Sequence, residues 1–176
     1  MLLLFWLFTL LCATGSPSPV DGPAVSDPTT TVSSLTQAAG WQYQQTVEPS
    51  TGTTYKASLN AANLLQLAYP YEGGSSVTLT IRNRGGNTNA YLSVSKGIFA
   101  PSFQGGKALI RFDEGRSVTY SLTAAANGRG NLLFIDDEKR LIQQIRTSRT
   151  MAVQIKMVGQ NLNEIRFNSA GLRWSH

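Results

Sequence analysis

The stretch Lys107-Ala-Leu-Ile-Arg-Phe-Asp-Glu-Gly-Arg-Ser-Val-Thr-Tyr-Ser-Leu122 decides how this chain is read. Ala108, Ile110 and Phe112 alternate with Lys107, Leu109 and Arg111. After Asp113-Glu114-Gly115, Val118, Tyr120 and Leu122 alternate with Thr119 and Ser121. Successive side chains of a strand point to opposite faces, so period-two alternation marks a half-buried strand. Two such runs joined by an acid-acid-Gly turn predict an antiparallel hairpin.

The same period recurs on both sides of that hairpin. Trp41, Tyr43 and Val47 begin it; Val77, Leu79 and Ile81 alternate with Thr78, Thr80 and Arg82; Ala90, Leu92 and Val94 alternate with Tyr91 and Ser93. Met151, Val153, Ile155 and Met157 alternate with Ala152, Gln154 and Lys156, and Ile165 and Phe167 flank Arg166. Gly-rich turns separate the runs, among them Glu72-Gly73-Gly74, Arg84-Gly85-Gly86-Asn87, Gln104-Gly105-Gly106 and Gly159-Gln160-Asn161. Seven or more short strands at this spacing predict a mainly β domain over residues 41–176, an antiparallel sandwich or flattened barrel. One segment, near residues 136–148, breaks the period. Leu141, Ile142 and Ile145 form a helical stripe behind the acids Asp136, Asp137 and Glu138, which suit the positive end of a helix. Trp174, in the last patterned segment, is expected in the core, and residues 175–176 are expected to be dispensable.

The first 40 residues have a different chemistry. Residues 1–12, MLLLFWLFTLLC, are almost wholly apolar and are followed by Ala13-Thr14-Gly15. This is the pattern of a signal peptide cleaved after Gly15. Cys12 permits a second reading, a lipoprotein acylated at that residue, although Leu11 is larger than the residue that usually precedes such a cysteine. Residues 16–40 carry four of the seven prolines and no Lys or Arg, a composition that predicts a tether. After residue 15 no apolar stretch approaches the ~20 residues that span a bilayer. The chain is therefore expected to be exported to the periplasm, or held at the outer membrane if Cys12 carries a lipid.

Composition narrows the chemistry. The one cysteine lies in the signal and the one histidine is His176, the last residue. Ser-His and Cys-His catalysis and ordinary zinc sites are therefore not expected. Arg84-Gly85-Gly86-Asn87 and Gly128-Arg129-Gly130-Asn131 lack phosphate-loop spacing, and no cofactor is expected. Three successive acids cannot all face one Ca²⁺, so Asp136, Asp137 and Glu138 read as a helix start rather than a metal site. Asp113 and Glu114 read as turn formers rather than as a catalytic pair.

The order of several short motifs has a familiar look. Trp41 opens the domain; Ser58-Leu59-Asn60, Tyr69-Pro70-Tyr71-Glu72-Gly73, Ile81-Arg82 and Ile110-Arg111-Phe112-Asp113 follow; Arg166-Phe167 and Gly171-Leu172-Arg173-Trp174 close it. This arrangement resembles a loose group of small exported proteobacterial envelope proteins. It is also similar to the C-terminal half of proteins associated with type VI secretion and of some envelope lipoproteins. The resemblance implies a Gram-negative envelope location and a β-sandwich, and carries over no catalytic residue.

Two surfaces are candidates for binding. If the apolar residues face the core, Arg82, Lys107, Arg111, Lys156 and Arg166 all point outward, and neighbouring strands would gather them into one basic stripe. Such a stripe suits an anionic protein, most simply another envelope protein, or an anionic envelope surface. No nucleic-acid-binding signature is present. The alternative is dispersed, solvated charge. The second candidate is the loop Tyr69, Tyr71, Glu72, whose aromatics suit either an interface or the core. The expected function is a non-enzymatic binding or accessory protein of the envelope, such as a peripheral component of a secretion or conjugation assembly. A carboxylate-dependent hydrolase of peptidoglycan or another glycan, and a periplasmic carrier of small ligands, are the alternatives.

Overall fold

The computed structural model describes residues 40–49, 52–102 and 104–176. The expected signal at residues 1–15, with Cys12, and all of the expected tether but Gly40 lie outside the described residues. Among the described residues nine antiparallel strands form one sheet: β1 (Gln42–Glu48), β2 (Gly52–Asn60), β3 (Val77–Arg84), β4 (Asn87–Val94), β5 (Gly106–Phe112), β6 (Val118–Ala124), β7 (Leu132–Ile135), β8 (Met151–Lys156) and β9 (Leu162–Phe167). Their order is β1-β2-β3-β4-β7-β6-β5-β8-β9.

The first four strands are a meander and β5–β6 is the expected hairpin. Strand β7 joins these halves, pairing with β4 on one side and β6 on the other. Sequence alternation does not reveal β7, because Leu132-Leu133-Phe134-Ile135 is apolar throughout; only Leu133 and Ile135 are buried. Strand β2 is equally hard to read, since Thr54, Ala57 and Leu59 are its buried positions and the spacing changes between the first two.

The mainly β prediction with one short helix holds. The sheet does not close into a barrel, as β1 and β9 are not paired. It is rolled instead, so that both halves share one core containing Leu79, Ile81 and Leu92 together with Ile110, Val153 and Ile165. Where the roll nearly closes, the segment after β2 lies along the outer edge of β9. Ala62 N–H donates to Arg166 O at 2.7 Å. Asn63 Nδ2 donates to Glu164 O at 3.0 Å, and Asn63 Oδ1 accepts from Arg166 N–H at 2.8 Å. A primary amide has the donor and acceptor of a peptide group, so Asn63 satisfies this edge as a tenth strand would.

Helix α1 (Glu138–Thr147) buries Leu141, Ile142 and Ile145, the stripe expected from sequence. Its start differs from the expected cap. Asp137 occupies the N-cap position in a left-handed conformation, φ 58°, and makes no side-chain cap bond. The Asp136 carboxylate instead accepts from the Thr123 hydroxyl at 2.9 Å. The Arg140 guanidinium lies 5.5 Å from the centroid of the buried Tyr120 ring, a cation–π contact between helix and sheet. Burial pushes the Tyr120 hydroxyl pKa up. No helix among the described residues is long and apolar enough to cross a membrane.

The C-terminal segment returns to the start of the domain. Trp174 is buried as expected. Trp41 Nε1 donates to Ser169 O at 3.0 Å, and the Tyr43 hydroxyl accepts from Arg173 N–H at 2.7 Å. His176, expected to be dispensable, stacks on Tyr55 with ring centroids 3.7 Å apart.

Candidate interaction face

Strand phase turns Lys107, Leu109 and Arg111 of β5 away from the core, because Ala108, Ile110 and Phe112 are buried between them. The same holds for Ala152, Gln154 and Lys156 of β8, and for Leu162, Glu164 and Arg166 of β9. The three strands are neighbours, and their register is continuous. Arg111 pairs with Ala152, which pairs with Arg166. Leu109 pairs with Gln154, which pairs with Glu164. Lys156 pairs with Leu162, and Lys107 continues the face along β5.

Four of the five basic residues expected to form a stripe therefore share one face. Arg82 does not join them. It lies on β3, with β4, β7 and β6 between it and β5. There it is half-buried: Nη2 donates to Asn89 Oδ1 at 3.1 Å and the guanidinium sits 5.7 Å from the Tyr91 ring centroid. The expectation of a single stripe through Arg82 is corrected by strand order, since strands close in sequence need not be neighbours in the sheet.

The face is neither uniformly basic nor uniformly polar. Arg166 Nε meets Glu164 Oε1 at 2.8 Å, and Gln154 Nε2 donates to Glu164 Oε2 at 3.3 Å. The Arg166 bond, followed by that from Gln154, holds the Glu164 carboxyl below its usual range, so it stays ionised and offsets one cation. Arg111 Nη1 donates to Asp113 O at 3.2 Å and lies 3.9 Å from the fully exposed Glu114 carboxylate. Lys107 and Lys156 have no ion-pair partner among the described residues and are exposed. Leu109 and Leu162, 42% and 62% exposed, add apolar area to a face that water would otherwise favour as fully polar. Between Arg111 and Arg166 is a depression of about 230 Å³, floored by Ala152 and bordered by Ala62, Asp113 and Asn168.

Asp113 shapes this rim. Its Oδ1 accepts from Thr150 N–H and Arg149 N–H, each at 2.9 Å, and from the Thr150 hydroxyl at 3.2 Å. The Thr150 N–H, helped by Arg149 and the Thr150 hydroxyl, holds the carboxyl below its usual range against a smaller upward push from desolvation. Asp113 thus ties the β5–β6 turn to the start of β8.

The aromatic loop is divided between surface and core. Tyr69 is 84% exposed, whereas Tyr71 packs against the core. Glu72 O accepts from Lys96 Nζ at 3.3 Å. On another part of the surface, Asp136, Asp137 and Glu138 line a depression of about 400 Å³ with Thr123 and Phe134. No three His, Cys, Asp or Glu side chains among the described residues are grouped to hold a metal ion.

Leu109 was legible as an outward residue from alternation alone; Leu162 was not, because it precedes the readable part of its run. No protein-family model, curated protein or solved structure matches this chain.

Proposed function

We propose that this chain is a non-enzymatic accessory protein of the cell envelope that holds an acidic protein partner on the outward face of β5, β8 and β9. The observation that carries the reading is the alignment of Arg111 and Arg166 on either side of Ala152, in one face with Lys107, Lys156 and the exposed Leu109. Exposed cations steer an anionic partner and set the salt dependence of association, while apolar residues among them supply area that association removes from water. The envelope location rests on the apolar segment 1–12, the small residues at 13–15 and the Pro-rich stretch behind them. The exported protein then begins at Ser16, or at an acylated Cys12 held at the outer membrane.

Crosslinking and pull-down from intact envelopes test this reading. Lys107→Glu with Lys156→Glu reverses two exposed charges that have no ion-pair partner among the described residues, so the melting curve should hardly move. The captured partner should be lost from the double variant and progressively from the wild type as salt rises. Lys139→Glu, on the exposed side of α1, should leave capture intact. Equal capture by the wild type and the double variant would refute the assignment. Intact mass of the exported protein tests the location: a start at Ser16 or at acylated Cys12 supports it, and an unprocessed cytosolic chain overturns it.

A further inference from the structure

The two edges of the sheet are treated differently. The outer edge of β9 is covered by Ala62 and by the Asn63 amide. The outer edge of β1 has no hydrogen-bonded neighbour among the described residues. An open edge is a row of unpaired N–H and C=O groups, and natural strands commonly blunt it with lysine, proline or very short length. Strand β1 has none of these: Gln42-Tyr-Gln-Gln-Thr-Val-Glu48 is seven residues long, without Lys, Arg or Pro. It also leaves Tyr43 50% and Val47 69% exposed.

We propose that β1 pairs antiparallel with β1 of a second copy, centred on Gln45, to form a closed two-fold dimer. The strand is complementary to its own reverse in this register. Tyr43 of each copy stands opposite Val47 of the other, so both exposed apolar residues gain an aromatic–β-branched pairing, twice over. Gln45 meets Gln45 at the axis and Gln44 meets Thr46. The strand carries no Lys or Arg to oppose its like across the axis, even though each domain is strongly basic. The covered β9 edge decides the symmetry. A β1-to-β9 contact would propagate head to tail, and Asn63 already occupies that position, leaving β1-to-β1 as the edge-to-edge pairing that closes. The dimer uses no residue of the β5–β8–β9 face.

Sedimentation of the exported protein over a micromolar concentration series tests the proposal, with a charge swap at the axis. Wild type should be dimeric. Gln45→Lys alone and Gln45→Glu alone should each weaken the dimer several-fold, because like charges then oppose one another at the axis. An equimolar mixture of the two variants should restore it as a heterodimer. Gln45 is exposed, so at dilutions where the wild type is monomeric both variants should melt with it. A wild type that stays monomeric at high micromolar concentration overturns the proposal, as does a dimer indifferent to both substitutions. A monomer whose β1 edge instead takes up a foreign extended peptide overturns it too.

Discussion

Asn63 holds the backbone of Arg166 from the opposite side of the rolled sheet: its Oδ1 accepts the Arg166 N–H at 2.8 Å across more than 100 residues of sequence. With the bond from Asn63 Nδ2 to Glu164 O, this contact joins the segment after β2 to the last strand. It bridges the interval at which the sheet stops short of closing.

Asn63→Ala should therefore loosen the join between the two halves. Two hydrogen bonds are lost at a partly exposed site, where each contributes about 1 kcal/mol net. The urea midpoint should fall by the equivalent of about 1–2 kcal/mol. Asn63→Asp keeps the acceptor for Arg166 N–H but loses the donor to Glu164 O, and should fall between the two. An unchanged midpoint for Asn63→Ala would show that Ala62 alone secures the edge.

Asp113 gives the domain an acid-sensitive contact. Its pKa is lowered in the folded state, chiefly by the Thr150 N–H. A depressed pKa means stabilisation that is fully present above the unfolded value, about pH 4, and is lost as pH falls through the folded value below it. Asp113→Asn tolerates the positive φ of 47° and removes only the charge. It should be less stable than wild type at pH 7, with the gap closing toward pH 3. Urea midpoints at the two pH values measure this, and a gap that stays constant would count against the charge as its cause.

Trp174 is 6% exposed and anchors the C-terminal segment. Trp174→Ala should cost about 3–5 kcal/mol, as core aromatic truncations do. Its buried Nε1 has no hydrogen-bond partner among the described residues, so Trp174→Phe should cost much less. Deleting His176 removes the stack on Tyr55 and should lower stability by about 0.5–1.5 kcal/mol. Thermal melts of the three variants would rank them in that order.

Two glycines separate backbone conformation from close approach. Gly105 and Gly128 have φ of 73° and 72°. A Cβ at Gly128 meets nothing within 4 Å, whereas one at Gly105 would sit 2.8 Å from the backbone oxygen of Leu122 in β6. Gly128→Ala should cost about 1–2 kcal/mol, the penalty of left-handed φ alone. Gly105→Ala should cost clearly more, because a strand carbonyl in a ladder cannot move aside. Equal losses in equilibrium unfolding would show that the β5–β6 ladder yields at that point.

The sequence alone determined the phase of most strands, and with it which side of the sheet Leu109, Arg111, Lys156 and Arg166 face. Phase is local: a side chain's face depends on its own neighbours in the chain and on which of them are apolar. The helix at Leu141, Ile142 and Ile145 was legible for the same reason. Strand order was not, because it depends on which strands meet after long excursions through loops and α1. It was strand order that placed Arg111 beside Arg166 across Ala152 and left Arg82 on the far part of the sheet. Strand β7 was hidden because four apolar residues in a row have no alternation to read, and Asn63 was hidden because nothing local marks an amide as the partner of a distant strand edge. Tertiary structure alone decided how the two edges differ: one is occupied by a side chain brought to it by the roll of the sheet, and the other, along β1, has no hydrogen-bonded neighbour among the described residues.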